Sequence, residues 1–100
     1  MLSYDRITAR RQVVVPDHVR LGLRTAGRFV NLAATYRAEV KVYHRGVAAD
    51  GKSILDLTSL TVERGKTMVI EADGPDAEPL VDALADLILN PAHLRRRAAV

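Results

Sequence analysis

The sequence predicts a two-layer α+β domain, an open-faced sandwich with a four-stranded antiparallel sheet and three helices on one face. The expected element order is β-α-β-β-α-β-α. Three observations carry this prediction. Four segments show β-branched runs or period-two alternation, three others space their apolar residues for a helix, and turn signals separate them all. Helices with one apolar stripe and strands with one apolar face suit a sheet covered on a single side. At 100 residues the chain has room for one core, since single domains commonly run to ~100–150 residues.

Taken in order, Val13, Val14 and Val15 are β-branched and end at Pro16, which cannot donate to a ladder, so residues 10–15 read as the first strand. Ala26, Phe29, Val30, Ala33 and Tyr36 then fall on one helical stripe. Val19, Gly22 and Leu23 extend that stripe backward, which allows an early start with Asp17 as the cap. Val40 and Val42 alternate with Lys41 and Tyr43, giving a second strand over residues 39–44. Arg45-Gly46 turns the chain into a short return strand at 47–49, and Asp50-Gly51 turns it again. Ser53-Ile54-Leu55-Asp56 has the form of a capping box opening a short helix to Ser59. After a turn at Glu63-Arg64-Gly65-Lys66, residues 67–72 alternate with Met68, Ile70 and Ala72 on one face. Gly74-Pro75-Asp76 starts the last helix, where Pro79 is tolerable in the first turn. Leu80, Val81, Leu84, Leu87 and Ile88 form its buried stripe, and Asn90-Pro91 ends it. Residues 1–9 read as an N-terminal extension, 10–90 as the domain and 91–100 as a basic C-terminal tail.

Composition removes several function classes. A hydrophobic content of 48% is too high for intrinsic disorder. The absence of cysteine excludes thiol chemistry, a disulfide scaffold and cysteine-ligated zinc. No apolar run approaches the ~20 residues of a membrane span, and the arginine-bearing N-terminus lacks a signal-peptide core. A cytoplasmic protein without a membrane partner is expected. The net charge of +3 hides segregation: residues 1–45 carry nine Lys/Arg against three Asp/Glu, residues 46–90 carry three against nine, and Arg95, Arg96 and Arg97 close the chain. Segregated charge and only four aromatic residues, Tyr4, Phe29, Tyr36 and Tyr43, argue against a nucleic-acid surface, which needs a continuous basic face with stacking platforms.

Two segments bring in a resemblance. Leu21-Gly22-Leu23-Arg24-Thr25-Ala26 and Lys52-Ser53-Ile54-Leu55-Asp56-Leu57-Thr58-Ser59-Leu60 resemble the HPr-like phosphocarrier family of the bacterial phosphoenolpyruvate-dependent sugar phosphotransferase system. Gly65 and Met68-Val69-Ile70-Glu71-Ala72-Asp73-Gly74 resemble its last strand and turn, and the likeness covers residues 12–89. It implies the element order derived above and a phosphorylated histidine opening the first helix, followed two residues later by arginine, then proline and alanine. In gapless register Arg24 and Ala26 are kept, Thr25 replaces the proline and Gly22 stands at the histidine position. The chemistry needs an imidazole at a helix N-terminus, where amides and a guanidinium stabilise the added charge. The resemblance therefore implies a member without the usual acceptor, acting as a regulatory or docking protein that binds an acidic partner surface. That partner is expected to be Enzyme I-like, a sugar permease component or a transcriptional regulator. The alternative is a phosphocarrier using His18, since His18-Val19-Arg20 repeats the His-x-Arg spacing one helical turn earlier; otherwise His18 is an exposed loop residue. A third reading is a divergent domain with a partner outside sugar transport.

The remaining candidates are weighed from chemistry. Arg20, Arg24 and Arg28 repeat every four residues, which on a helix makes one basic face, either solvated or docking. By resemblance Leu55, with Leu57 or Thr58, adds apolar contact beside it. Ser53 is an N-cap on local grounds; by resemblance it is also a candidate for regulatory phosphorylation, where a phosphate would meet the positive helix end. His44 shares the face of Val40 and Val42, so a satisfied, half-buried ring is expected, and His93 lies in the tail. Three scattered histidines make no metal site. Asp82 and Asp86 oppose the apolar stripe of the last helix and are expected to be solvated. No phosphate loop, nucleophile elbow or paired catalytic acid is present, so neither a cofactor nor independent enzymatic turnover is expected.

Overall fold

The structure, a computed structural model, describes residues 7–17 and 22–90. Its elements are β1 (Thr8–Val14), α1 (Leu23–Ala33), β2 (Glu39–His44), β3 (Val47–Asp50), α2 (Ile54–Ser59), β4 (Thr67–Asp73) and α3 (Ala77–Leu89). All strand pairings are antiparallel and the sheet order is β1-β4-β2-β3. The expected α+β architecture, with its β-α-β-β-α-β-α order, is the one observed.

Register explains why one face is apolar. Val13 opposes Met68, and Ile70 opposes Val42, so valines, Met68, Ile70 and Ala72 share the face on which the helices lie. Phe29 and Ala33 of α1 and Leu80, Leu84 and Ile88 of α3 complete that core. Every predicted stripe residue of α3 is buried, and Ala77 and Ala85 join them. The other face is polar. Along one rung Arg10 opposes Glu71, Glu71 opposes Lys41 and Lys41 opposes Asp50, so charge alternates across all four strands, a favourable cross-strand arrangement. The Arg10 guanidinium lies 3.6 Å from the Glu71 carboxylate, and the Tyr43 hydroxyl donates to Glu71 at 3.3 Å.

Several boundaries differ from the sequence reading. β1 starts at Thr8 because Asp73 and Ala72 offer partners to Thr8 and Ala9; a strand can be lengthened by its neighbour without any propensity of its own. α1 starts later than the extended stripe suggested. Its N-cap is Gly22, not Asp17, and Leu23 is 68% exposed rather than on the buried stripe. The helix also ends before Tyr36. The Thr35 hydroxyl donates to the Leu32 carbonyl at 2.7 Å, competing with the continuing ladder, and Tyr36 packs on the core from the turn.

The β2–β3 hairpin turns on Arg45 and Gly46, at φ 53° and 77°. Two positive-φ residues give the primed turn whose twist matches antiparallel strands. Asp76 precedes α3 but does not cap it with its side chain. Instead its carboxylate accepts from the Arg37 amide at 2.7 Å, tying the α1–β2 connection to the β4–α3 connection. Asp82, expected to be solvated, lies 3.4 Å from the Arg11 guanidinium, while Asp86 accepts from the Asn90 side-chain amide at 2.8 Å. The Asp82 pair arises because Arg11 shares the helix-facing side of β1 with Val13, a consequence of register that local spacing does not reveal.

Candidate functional site

The first turn of α1 is built on a residue without a side chain. Gly22 has φ −94° and ψ −162°, an extended conformation open to any residue, and a Cβ placed there would meet nothing within 4 Å. Nothing in the local fold requires glycine. The hydrogen-bond ladder begins with the Ala26 amide donating to the Gly22 carbonyl at 2.9 Å, so the amides of Leu23, Arg24 and Thr25 precede the first internal turn. Gly22 itself offers no capping side chain, and no acidic residue occupies the first turn. The partial positive charge of a helix N-terminus therefore gathers at this turn with no acidic side chain of the first turn to offset it.

Arg24 is exposed and Arg28 half-buried. Neither forms an ion pair within 4 Å among the described residues. Of the expected arginine face, Arg24 and Arg28 lie on α1, which begins at Leu23. Arg20 and His18, together with His93, lie outside the described residues.

α2 packs beside α1, and the two helices share an apolar dent lined by Ala26, Phe29, Leu57 and Leu60. Leu57 turns inward, whereas Leu55 is 80% exposed and Ile54 and Leu23 add further apolar surface. α1, which carries Arg24 and Arg28, and α2, which carries Leu55, are thus adjacent helices. Thr58 is half-buried and its hydroxyl donates to the carbonyls of Ile54 and Leu55 at 3.0 and 3.1 Å, so it is engaged within its own helix.

Ser53 caps α2 as expected, its hydroxyl accepting from the Asp56 amide at 3.2 Å. The reciprocal half of the capping box is redirected. The Asp56 carboxylate accepts from the Asp50 amide at 3.1 Å, and the Asp50 carboxylate accepts from the Lys52 amide at 2.9 Å. The shorter Asp side chain serves the preceding turn instead of the cap residue, and the segment that carries Ser53 is flanked in sequence by Asp50 and Asp56.

His44 is buried, with Nδ1 at 3.0 Å from the Thr67 carbonyl. The ring is satisfied within the sheet, as its position beside Val40 and Val42 suggested. No group of three His, Asp or Glu side chains able to hold a metal occurs among the described residues, and none of their helices is long and apolar enough to cross a membrane. One contact was not anticipated: the Arg64 guanidinium donates to the Asp17 carbonyl at 3.0 Å. A partner 47 positions away leaves no mark on local spacing.

Compared with known proteins, residues 9–90 match the family model described as the PTS HPr component phosphorylation site. The chain belongs to the HPr family. The phosphocarrier protein HPr of Cupriavidus necator is 32% identical over 81 residues, covering 81% of this chain and 91% of the relative. The structure superposes on HPr from Bacillus anthracis with a TM-score of 0.74 at 30% identity, covering 81% of this chain and 96% of that one. It also superposes on Crh of Bacillus subtilis, a catabolite repression protein whose structure is a domain-swapped dimer, with a TM-score of 0.65 at 28% identity, covering 72% and 85% of the two chains. HPr proteins are phosphocarriers rather than enzymes with turnover of their own, and they work with other phosphotransferase proteins such as Enzyme I and sugar permeases.

Proposed function

We propose that this HPr-family chain is a regulatory or docking protein that lacks the family's phosphorylatable histidine and binds an acidic partner surface. The carrying observation is Gly22, the residue that gapless register aligns with that histidine. It caps α1 with no side chain in a backbone conformation that does not demand glycine. A phosphoryl group cannot be carried there, while Arg24, Arg28 and the exposed Leu55 remain available for recognition. Arginines without an ion pair among the described residues favour an acidic partner, because complementary potential raises association rate and fixes orientation. Enzyme I, a permease component or a transcriptional regulator would each supply such a partner. Crh, a relative with this fold, is named for catabolite repression, so a regulatory use has a precedent among similar structures. Ser53 serves first as the α2 cap; a phosphate on it would gain from the helix end but meet the Asp50 and Asp56 carboxylates.

The second reading is a carrier using His18. It is favoured by Arg64, whose contact with the Asp17 carbonyl brings a guanidinium to the residue preceding His18. One experiment separates the two. The protein is incubated with phosphoenolpyruvate and the Enzyme I of its own organism, and intact mass and acid lability are measured. The docking reading expects no phosphate on the wild type and an acid-labile phosphate on Gly22→His, which also proves the Enzyme I active. A phosphate on the wild type that is lost in His18→Ala establishes the carrier instead.

A further inference from the structure

Helix α2 is held very differently at its two ends. Its N-terminus is pinned by the Ser53 cap and by the Asp56 and Asp50 carboxylates. Just before it, the Gly51 amide donates to the Val40 carbonyl at 2.8 Å, and a Cβ on Gly51 would lie 2.5 Å from the Val40 side chain. The C-terminus is held from within its own turn, where the Ser59 hydroxyl donates to the Asp56 carbonyl at 2.7 Å. No residue within α2 is buried. The closing hydrogen bonds, Leu60 to Leu57 and Thr61 to Thr58, measure 3.3 and 3.4 Å, at the long end for amide bonds. Leu60, the C-cap, is the buried anchor, yet it lines two separate cavities. One is apolar, shared with Phe29, Leu57 and Val62; the other is polar, shared with His44, Arg45 and Thr61. Space therefore exists on both flanks of the residue that fastens the helix.

Thr61 adds stored strain to that loose end. Its φ of 47° lies in the left-handed region, where a β-branched residue is an outlier. The conformation is imposed by the reversal from α2 into the connection toward β4. When the last turn of α2 opens, Thr61 is free to return to negative φ.

We propose that the C-terminal turn of α2 is a strained hinge: the Ser53 end stays fixed, the turn ending at Thr61 swings, and the swing releases the left-handed backbone of Thr61. Backbone outliers persist only where surrounding structure over-determines them, and here two cavities weaken that determination. The hinge re-aims Thr58 relative to the fixed Leu55 while leaving the sheet untouched, so the surface beside Arg24 and Arg28 adapts to partners of different shape. This use rests on the docking reading; the hinge itself does not, and its test needs no partner.

The test is native-state amide hydrogen exchange on the full chain, comparing wild type with Thr61→Gly and Thr61→Asn. The Leu60 amide reports on the hinge, the Asp56 and Leu57 amides, both bonded to Ser53, on the pinned end, and Ile70 on global unfolding. In the wild type Leu60 exchanges at least about a hundredfold faster than Ile70, as expected for a local opening below the global one. In Thr61→Gly both Leu60 and Ile70 slow by about fivefold or more, because glycine removes the left-handed cost from the closed state alone; Thr61→Asn gives a smaller shift of the same sign. Two results overturn the proposal. One is wild-type exchange at Leu60 no faster than at Ile70, which means no hinge opens. The other is Leu60 unchanged in Thr61→Gly, whether or not Ile70 slows, which means the opening releases no strain at Thr61.

Discussion

Arg37 and Asp76 bind each other through backbone and side chain at once. The Arg37 amide donates to the Asp76 carboxylate at 2.7 Å, the Asp76 amide donates to the Arg37 carbonyl at 3.1 Å, and the guanidinium lies 3.8 Å from the same carboxylate. Two connections 39 positions apart in the sequence are locked at one end of the sheet. Asp76→Ala removes the acceptor of a backbone amide and is expected to cost about 1–2 kcal/mol. Arg37→Ala, whose side chain is 83% exposed, should cost under about 0.5 kcal/mol, because a solvated ion pair contributes little. Urea midpoints of the two variants, at constant m-value, give the comparison; equal losses would contradict the assignment of the clamp to the backbone bond.

Gly74 sits against that clamp at φ 148°, and a Cβ there would lie 2.7 Å from the Ala38 Cα and 2.8 Å from the Arg37 carbonyl oxygen. Both obstacles are backbone and cannot rotate away. Gly74→Ala is expected to lose about 2 kcal/mol or more, combining positive-φ strain with displacement of the α1–β2 connection. For a domain of this size each ~1 kcal/mol lowers Tm by about 4–8 °C, so a thermal melt suffices to detect it. Gly22→Ala, with open space and an ordinary φ, should leave Tm within about 4 °C, on the scale of a surface substitution.

Charge reversal at Arg24 and Arg28 tests the basic face. The double variant to Glu should slow association with Enzyme I by at least about tenfold at low salt, and the gap should narrow as ionic strength rises through ~0.15 M. Stopped-flow rates at three salt concentrations make the measurement. A rate independent of both substitution and salt would leave the arginines as a solvated face.

Leu55→Asp should weaken the same association chiefly through dissociation, since an exposed apolar side chain contributes contact rather than steering. Because Leu55 is 80% exposed, folding stability should change by less than about 0.5 kcal/mol. Surface plasmon resonance beside a denaturation curve distinguishes lost contact from lost fold.

Ser53→Ala removes the only side-chain cap of α2 and should cost about 1 kcal/mol. Ser53→Asp restores a capping acceptor but adds a charge beside Asp50 and Asp56, so it should recover less than the full amount. Recovery to wild-type stability would show that those carboxylates leave room for a further negative charge.

The parts of this fold legible in the sequence are those written in periodicity. The alternation of Val40 and Val42, and the stripe of Leu80, Leu84 and Ile88, follow from one buried face per element and need no knowledge of neighbours. What escaped is set by neighbours. Thr8 joins β1 because Asp73 is across from it, and Asp76 abandons its own helix for the Arg37 amide. Asp56 serves Asp50 because its side chain is shorter than the Glu a capping box prefers. Leu23 satisfies helical spacing yet faces water, since the apolar face of α1 needed only Ala26, Phe29 and Ala33. For the site, Gly22, Arg24, Arg28, Leu55 and Ser53 were readable from motif and register. Arg64 was not, because a guanidinium reaching a distant carbonyl leaves no pattern, and Thr61 was not, because backbone strain is a property of the path and not of the residue.

The strand order β1-β4-β2-β3 has a consequence for biosynthesis. Every strand pairing except the β2–β3 hairpin requires β4, so a nascent chain lacking residues 67–73 can form only that hairpin and its helices. β1 precedes β4 in the chain and has no strand partner until residues 67–73 follow, so its row of amides and carbonyls stays open over that interval. The alternating Thr8, Arg10 and Gln12 on one side of β1, with Arg11 on the other, keep that waiting strand too charged and polar to pair with copies of itself on neighbouring ribosomes. The charge on β1 thus has a physical effect apart from any partner: it disfavours self-pairing of an edge that β4 has yet to cover.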